Sequence, residues 1–445
     1  MDIFGLIPQF GSLAFTLVAF VAALSVIVAV HEYGHYIVGR WSGIHAEVFS
    51  LGFGPVLWSR VDRRGTKWQL AALPFGGYVK FLGDADAASG RDEVMMAHIG
   101  ADRRRATMHG APLWARSVTV AAGPLFNFAL SILIFAGWFA FNGVATEDPV
   151  VGRMKDTPFG AQSLQPGDRI LALNGTETPD FAAMVSASTG MAPGEAAEYR
   201  VLRGGAELAL TGPHPFPPLA DAVAPRSAAQ DAGMREGDVV LEVDGTAIAT
   251  FQQLRDLVGA SDGRELRLSV WNAGETREVV LTPRRMDVPL AQGGFETRWL
   301  IGLSGGLVFD PERRTPGPLE LAERGVSETW RIATTSLSGL WHMLTGAIST
   351  CNLQGPVGIA ETSGAAAAQG ATSFILFVAM LSTAVGLLNL FPVPVLDGGH
   401  LVFHAWEAVT GQPPSDRALR VLMGAGLAVL LSLMVFALGN DLFCP

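Results

Sequence analysis

Two histidines four residues apart with a glutamate beside the first, His31-Glu32-Tyr33-Gly34-His35, are the residue types of a zinc hydrolase centre. On a helix, positions i and i+4 project from one side, so both imidazoles face a common point and Glu32 stands on an adjacent face. Two neutral imidazoles can hold zinc, the ion lowers the pKa of a bound water to about 7, and a neighbouring carboxylate can take that water's proton. The pentad arises by chance in soluble helices, so its setting decides its weight. A catalytic zinc also takes a third protein ligand, which the pentad does not supply.

The setting is a membrane span. Leu13 to Val30 holds no charged residue and is long enough to cross about 30 Å of hydrocarbon as a helix. The pentad falls at or just inside one membrane face, where ionisable side chains are costly and mark function. Composition agrees: of 445 residues 49% are hydrophobic and 16% charged, and the mean hydropathy is +0.33, too apolar for a soluble domain of this size. Four spans are predicted: residues 13–37, Ser117 to Phe141, Thr372 to Leu396 and Val421 to Leu438. The first is expected to stay in the mature chain, because no Lys or Arg precedes Arg40 and the pentad stands where a signal-peptide cleavage site belongs. Basic residues crowd the segment between spans one and two (Arg40, Arg60, Arg63, Arg64, Lys67, Lys80, Arg91, Arg103, Arg104, Arg105 and Arg116) and are nearly missing beyond the terminal spans. That bias predicts a cytoplasmic first loop, with both termini outside, and gives the loop a contact with anionic lipid. With a net charge of −10 and a pI near 5.4, there is no broad basic surface for nucleic acid.

On this topology span three ends at the face where His31 lies. Its end, Asn389-Leu-Phe-Pro-Val-Pro-Val-Leu-Asp397-Gly-Gly-His400, puts an acid, two prolines and two glycines at membrane depth, where irregular backbone is tolerated only if buried or lining a cavity. Asp397 is the candidate third ligand. His400 is a further ligand by chemistry alone, but its spacing from Asp397 fits a turn in which it supports the site or caps the next helix. His45, His98, His109 and His404 read as ordinary loop or interfacial histidines, and Tyr33 and Tyr78 as interfacial packing. Asn127 and Asn389 lie in apolar spans, where hydrogen bonds between helices are the simple account.

Other segments read as accessories. Leu164 to Gly175 is matched seventy positions later by Met234 to Gly245, each pairing a Gly-Asp turn with an alternating strand and a second turn. Helices are predicted after each copy at Phe181 to Ser188 and Phe251 to Val258, and Pro213 to Pro218 forms a stiff joint between two β-rich domains. These copies resemble PDZ domains, which capture extended chain ends by adding a strand to a sheet edge; acting as spacers is the plain alternative. In the first loop, Val56 to Val61 and Lys67 to Leu70 flank an Asp62-Arg-Arg-Gly65 turn, predicting a membrane-dipping β-hairpin whose edge can pair with an unwound substrate strand. Gly76 and Gly77 permit close backbone approach there. Leu337, Leu340, Trp341, Leu344 and Ile348 have helical spacing, predicting an amphipathic helix within 318–350 on the outer leaflet. Cys351 and Cys444 are expected to remain unpaired.

With these motifs together, the chain resembles the site-2 protease family of intramembrane zinc metalloproteases, in its bacterial RseP-type form with tandem PDZ domains. The resemblance runs over nearly the whole chain and includes Leu73-Pro-Phe-Gly-Gly-Tyr-Val-Lys80, Gly123-Pro-Leu-Phe-Asn127 and Gly355-Pro-Val-Gly-Ile359. It implies that His31, His35 and Asp397 bind Zn2+, that Glu32 activates water, and that Asn389 and, with less support, Asn127 act near the substrate. It also implies cleavage within the transmembrane segment of single-span membrane proteins, an anti-sigma factor trimmed by a first protease or remnant signal peptides, with the PDZ pair rejecting untrimmed substrates. The location implied is the bacterial inner membrane, with the PDZ domains and both termini periplasmic and the active site toward the cytoplasm. The expected fold is membrane α-helical, with about four transmembrane helices, a membrane-associated cytoplasmic β-hairpin or sheet and two extracytoplasmic β-rich PDZ domains. Its parts are 1–40 for span one, 41–116 for the cytoplasmic loop, 117–141 for span two, 148–213 and 219–285 for the PDZ domains, 286–371 for a linker with the amphipathic helix, 372–400 for span three and 419–440 for span four. A PDZ-bearing scaffold would have no use for Glu32, and a metal transporter would keep polar ligands along several spans, yet spans two and four offer no ionisable residue.

Overall fold

A computed structural model describes residues 6–85, 92–159, 163–189, 191–192, 194–290 and 294–444. The chain divides into two compact units, one made of residues 1–137, 322–341 and 353–444, the other of residues 138–321 and 342–352.

The first unit is built on helices α1 (Leu6–Trp41), α2 (Leu113–Asn142), α3 (Pro318–Leu344), α4 (Pro356–Ala368), α5 (Ala371–Asn389), α6 (Asp397–Thr410) and α7 (Asp416–Phe443). Four stretches, Leu13–Trp41, Leu113–Asn142, Ala371–Asn389 and Arg417–Phe443, are long and apolar enough to cross a membrane. Ala23 and Ile27 of α1 are buried with Ala366 of α4 and Phe377 and Val378 of α5. Nothing in the sequence announces α4: thirteen residues rich in alanine and glycine carry little apolar periodicity, and the segment reads as part of the linker. Its small residues are what let it press on α1, since a Cβ at Gly364 would lie 2.4 Å from the Thr16 hydroxyl.

The third span is shorter than expected. Its helix stops at Asn389 rather than Leu396, because Pro392 and Pro394 cannot continue it, and the chain restarts as α6 at Asp397. Asp397 therefore occupies the first position of a new helix, where the backbone dipole favours a carboxylate.

The predicted hairpin is present as β1 (Ala46–Val61) and β2 (Lys67–Phe81). The Asp62 carboxylate closes its turn by accepting from the backbone N–H of Arg64 at 2.8 Å and Thr66 at 3.0 Å. The ribbon bends back on itself, so that Phe49 registers with both Trp68 and Val79, and Leu51 with both Leu70 and Gly77. One end packs its apolar side chains, Phe49, Val79 and Phe81, with Tyr36 of α1 and Val120 of α2. At the other end Phe53, Val56, Leu57, Trp58 and Val61 are exposed.

In the second unit the sequence repeat becomes two four-stranded sheets of one topology. The first orders its strands Thr176–Glu177, Arg169–Leu173, Ala197–Arg203, Ala206–Gly212, and the second Thr246–Ala247, Val239–Val243, Leu266–Asn272, Glu275–Leu281. The second turn of each copy is a two-residue hairpin loop, Asn174-Gly175 and Asp244-Gly245, with both residues of each at positive φ. Helices Phe181–Thr189 and Phe251–Gly259 follow as expected. The segment beyond residue 285 is more than a linker: Ile301 joins the core of the second repeat, Val308 and Phe309 join that of the first, and Leu303–Gly305 and Phe309–Pro311 pair with Ala220–Val223 and Val151–Met154. Helix α3 buries small residues, Gly325, Thr329 and Ala333, and exposes Trp330, Leu337, Trp341 and Leu344. Both cysteines are disulfide-bonded, which corrects the expectation that they stay unpaired.

Candidate active site

His31 and His35 stand one turn apart on α1, as their spacing requires, and Asp397 reaches them from the start of α6. His31 Nε2 lies 3.1 Å from His35 Nε2 and 3.2 Å from Asp397 Oδ2, and His35 Nε2 lies 3.4 Å from the same oxygen. Three lone-pair atoms aimed at one point repel unless a cation sits among them, and Asp397 Oδ2 is buried without a hydrogen-bond partner. Tetrahedral zinc with bonds of about 2.0–2.1 Å sets its ligand atoms roughly 3.3 Å apart, the spacing found here. Among the described residues this is the one group of three or more such side chains placed to hold a metal.

Close helix contact makes the cluster possible. A Cβ at Gly34 would lie 2.6 Å from the Ala122 carbonyl oxygen, and one at Gly123 would lie 2.3 Å from His35 Nε2 and 2.8 Å from His31 Cε1. The two rings therefore rest on the bare backbone of α2. His35 Nδ1 donates to the Thr119 carbonyl at 2.8 Å, which directs Nε2 toward His31 and Asp397. Glu32 is partly buried next to them and accepts a hydrogen bond from the Val79 backbone N–H of β2. Gly77 allows that approach, since its Cβ would fall 3.1 Å from Glu32 Cγ and 2.8 Å from the Ser50 carbonyl oxygen.

A scan against family models matches residues 19–433 to Peptidase family M50. The chain is 36% identical to an Agrobacterium fabrum protein named as a zinc metalloprotease, over 97% of both chains. It is 35% identical to the regulator of sigma E protease of Haemophilus influenzae and 32% identical to the regulator of sigma-E protease RseP of Salmonella typhimurium, in each case over 97% of this chain and 99% of the relative. The chain belongs to peptidase family M50. Members of that family depend on zinc, and this chain is a zinc metalloprotease.

The cluster opens into a cavity of about 300 Å³ lined by His31, Glu32, His35 and Asp397 together with Gly77, Tyr78 and Val79 of β2, Asn389 and Val395. Asn389 ties its amide to its own helix, donating to the Val385 carbonyl at 3.0 Å. Gly76 stands one residue outside the lining, with the Phe53 ring where its Cβ would be. Asn127 does not line the cavity and instead places its amide 3.2 Å from His31 Nδ1. Tyr78, read as interfacial packing, is a wall residue held by Gln69 at 3.1 Å.

His109 and His404, expected to be ordinary loop or interfacial histidines, also face this space. His109 pairs at 3.2 Å with the wholly buried Asp84, whose carboxyl is pushed up by burial against the opposing pull of His109. His404 sits one turn beyond His400 on α6, and its Nδ1 meets the Ser117 hydroxyl at 3.2 Å. The i, i+4 spacing of His400 and His404 was a readable signal for a shared helix face. His109, on a loop, offered none. His400 lines the cavity from the first turn of α6 but is not part of the three-residue metal group.

Proposed function

We propose that this protease hydrolyses a peptide bond inside the membrane, within the transmembrane segment of single-span proteins, with His31, His35 and Asp397 holding Zn2+ and Glu32 as the general base. The observation that carries the reading is the convergence of the three ligand atoms at 3.1–3.4 Å beside Glu32, on an α1 apolar enough to span a bilayer. Zinc bound there supplies a Lewis acid and a water acidic enough to ionise near neutral pH. Glu32 takes the proton of the attacking water and passes it to the leaving amine. The Val79 N–H holds the Glu32 carboxylate in place for both transfers.

A helical substrate hides its carbonyls in i to i−4 hydrogen bonds and must unwind before it can be cut. The backbone of Gly77 to Val79 lies along the cavity wall, and an extended substrate segment pairing with it would bring a peptide carbonyl beside Glu32. Gly76 and Gly77 leave the start of this edge without side chains, and Asn389 is placed to hydrogen-bond the substrate backbone or the developing oxyanion. Asn127, expected with less support to act near the substrate, stands outside the cavity lining.

The charge bias supports a cytoplasmic face for this site, with the repeat-bearing unit and both termini on the periplasmic side of a bacterial inner membrane. We read the two repeats as PDZ domains that exclude untrimmed substrates. Relatives named as regulators of sigma E protease support an anti-sigma factor, shortened by a first cut, as the substrate in a stress response; remnant signal peptides fit the same geometry. The test is cleavage of a tagged single-span substrate, trimmed on its outer side, by purified wild type and Glu32→Gln at matched zinc content. Loss of at least about 100-fold with zinc retained is expected. Equal cleavage by both would remove Glu32 from the mechanism and favour a scaffold role.

A further inference from the structure

One face of α2 meets both imidazoles at four-residue intervals. The Thr119 carbonyl accepts from His35 Nδ1, Gly123 leaves room for the rings, and Asn127 reaches His31 Nδ1. Asn127 is fully buried and its Oδ1 has no hydrogen-bond partner, whereas its Nδ2 faces the ring nitrogen. Oxygen and nitrogen of an amide have the same shape, so the hydrogen-bonding surroundings decide between the two orientations. Those surroundings are unambiguous at His31. Its Nε2 points at His35 and Asp397 and must offer a lone pair to a metal, so the proton of the neutral ring belongs on Nδ1 and needs an acceptor. Turning the Asn127 amide by half a revolution brings the orphaned Oδ1 to that proton.

We propose that Asn127 is a positioning residue of the metal site, its Oδ1 accepting from His31 Nδ1–H and so fixing the tautomer that leaves Nε2 free for zinc. This rests on His31, His35 and Asp397 being the ligands, and it makes the two histidines equivalent: each has its remote nitrogen held by an oxygen of α2, a backbone carbonyl for His35 and a side-chain carbonyl for His31. Asn127 is itself fixed. Its backbone carbonyl accepts from the hydroxyls of Ser131 at 3.1 Å and Ser382 at 2.9 Å, and a Cβ on Gly386 would lie 3.2 Å from its own Cβ. Groups that orient a metal-bound histidine are worth about 10–100-fold in metal affinity.

The experiment measures zinc affinity of the full-length purified protein by competition with a chromophoric chelator, together with the visible spectrum after cobalt(II) substitution, for Asn127→Leu, Asn127→Asp and His31→Ala. Asn127→Leu, similar in shape but with no acceptor, is expected to weaken zinc by about 10–100-fold and alter the cobalt bands. Asn127→Asp keeps the acceptor and should hold zinc within a few-fold of wild type, a rescue that a purely structural role does not explain. Wild-type affinity in Asn127→Leu overturns the proposal, as does an Asn127→Asp variant as weak as Asn127→Leu. If Asn127→Leu fails to fold by circular dichroism, Asn127→Ala is read in its place. His31→Ala separates the two levels: undiminished zinc there sinks the ligand assignment itself, whatever Asn127 does.

Discussion

At the scale of single residues, the site depends as much on what is missing as on what is present. Gly123 carries no chemistry, yet any side chain there would occupy the space of His35 Nε2. Elsewhere in a helix Gly→Ala stabilises by about 1 kcal/mol. Gly123→Ala is therefore expected to purify with far less than one zinc per chain, while Gly137→Ala in the same helix, where a Cβ meets nothing within 4 Å, keeps full zinc. Elemental analysis of the two proteins decides it, and full zinc in Gly123→Ala would mean that the rings reach the metal by another path.

At the scale of elements, carboxylates act as local locks. Asp441, near the end of α7, accepts from the backbone N–H groups of Gly355, Val357 and Gly358 at 2.8–3.0 Å and so caps the start of α4. Loss of such a cap costs about 0.5–2 kcal/mol, so Asp441→Ala should lower the unfolding free energy by that much and speed amide exchange at residues 357–360. Exchange unchanged in that turn would show that packing on α1 alone holds α4. In the repeats, the buried Asp168 and Asp238 of the Gly-Asp turns each accept a backbone N–H and pair with Arg203 and Arg277. Burial pushes the Asp168 carboxyl up, but the hydrogen bonds from Arg203 and Gln165 outweigh it and hold the group below its ordinary range. A depressed carboxylate stabilises the fold above its unfolded pKa of about 3.9 and loses that contribution as pH falls through the folded value. Tryptophan-monitored denaturant midpoints of the whole protein should therefore drop as pH falls below about 4 in the wild type, with a shallower acid limb in Asp168→Asn. Parallel acid limbs would assign the drop to other carboxylates.

At the scale of the molecule, the repeat-bearing unit is stitched from both ends. Ile301, Val308 and Phe309 complete the two repeat cores from beyond the second sheet. Removing residues 148–285 alone strands these apolar side chains, whereas removing 144–314 takes them along. If the repeats serve as a size filter, the longer excision should give a monodisperse protease that cuts untrimmed as well as trimmed substrate, and the shorter one should aggregate. An excised protein that still refuses untrimmed substrate would place the filter elsewhere, for example at the exposed apolar face of α3.

Much of this protein was legible because its strongest signals are local. Helical spacing put His31 and His35 on one side, charge-free runs marked the four long helices, and the Asn-Gly and Asp-Gly turns announced two copies of one sheet. From the sequence Asp397 could be joined to the pentad only by counting spans, and in the structure its Oδ2 stands 3.2 and 3.4 Å from the two histidines. What stayed hidden was whatever depends on close approach between segments far apart in the chain. The α4 helix has small residues and little periodicity, so its place against α1 is set by shape. The folded-back register of the hairpin puts Val79 on Glu32, the strands at 303–311 serve repeats that precede them, and His109 turns into the cavity by pairing with Asp84. Asn127 shows the division most clearly: its sequence context made it a polar residue in an apolar helix, and only the packing of α2 on α1 made it a neighbour of His31 rather than of the cavity. Residue types and spacing determined the chemistry this chain can do, because ligand identity and helical period are properties of the local chain; the tertiary structure decided which groups orient that chemistry, because orientation is fixed by contacts that no local pattern encodes.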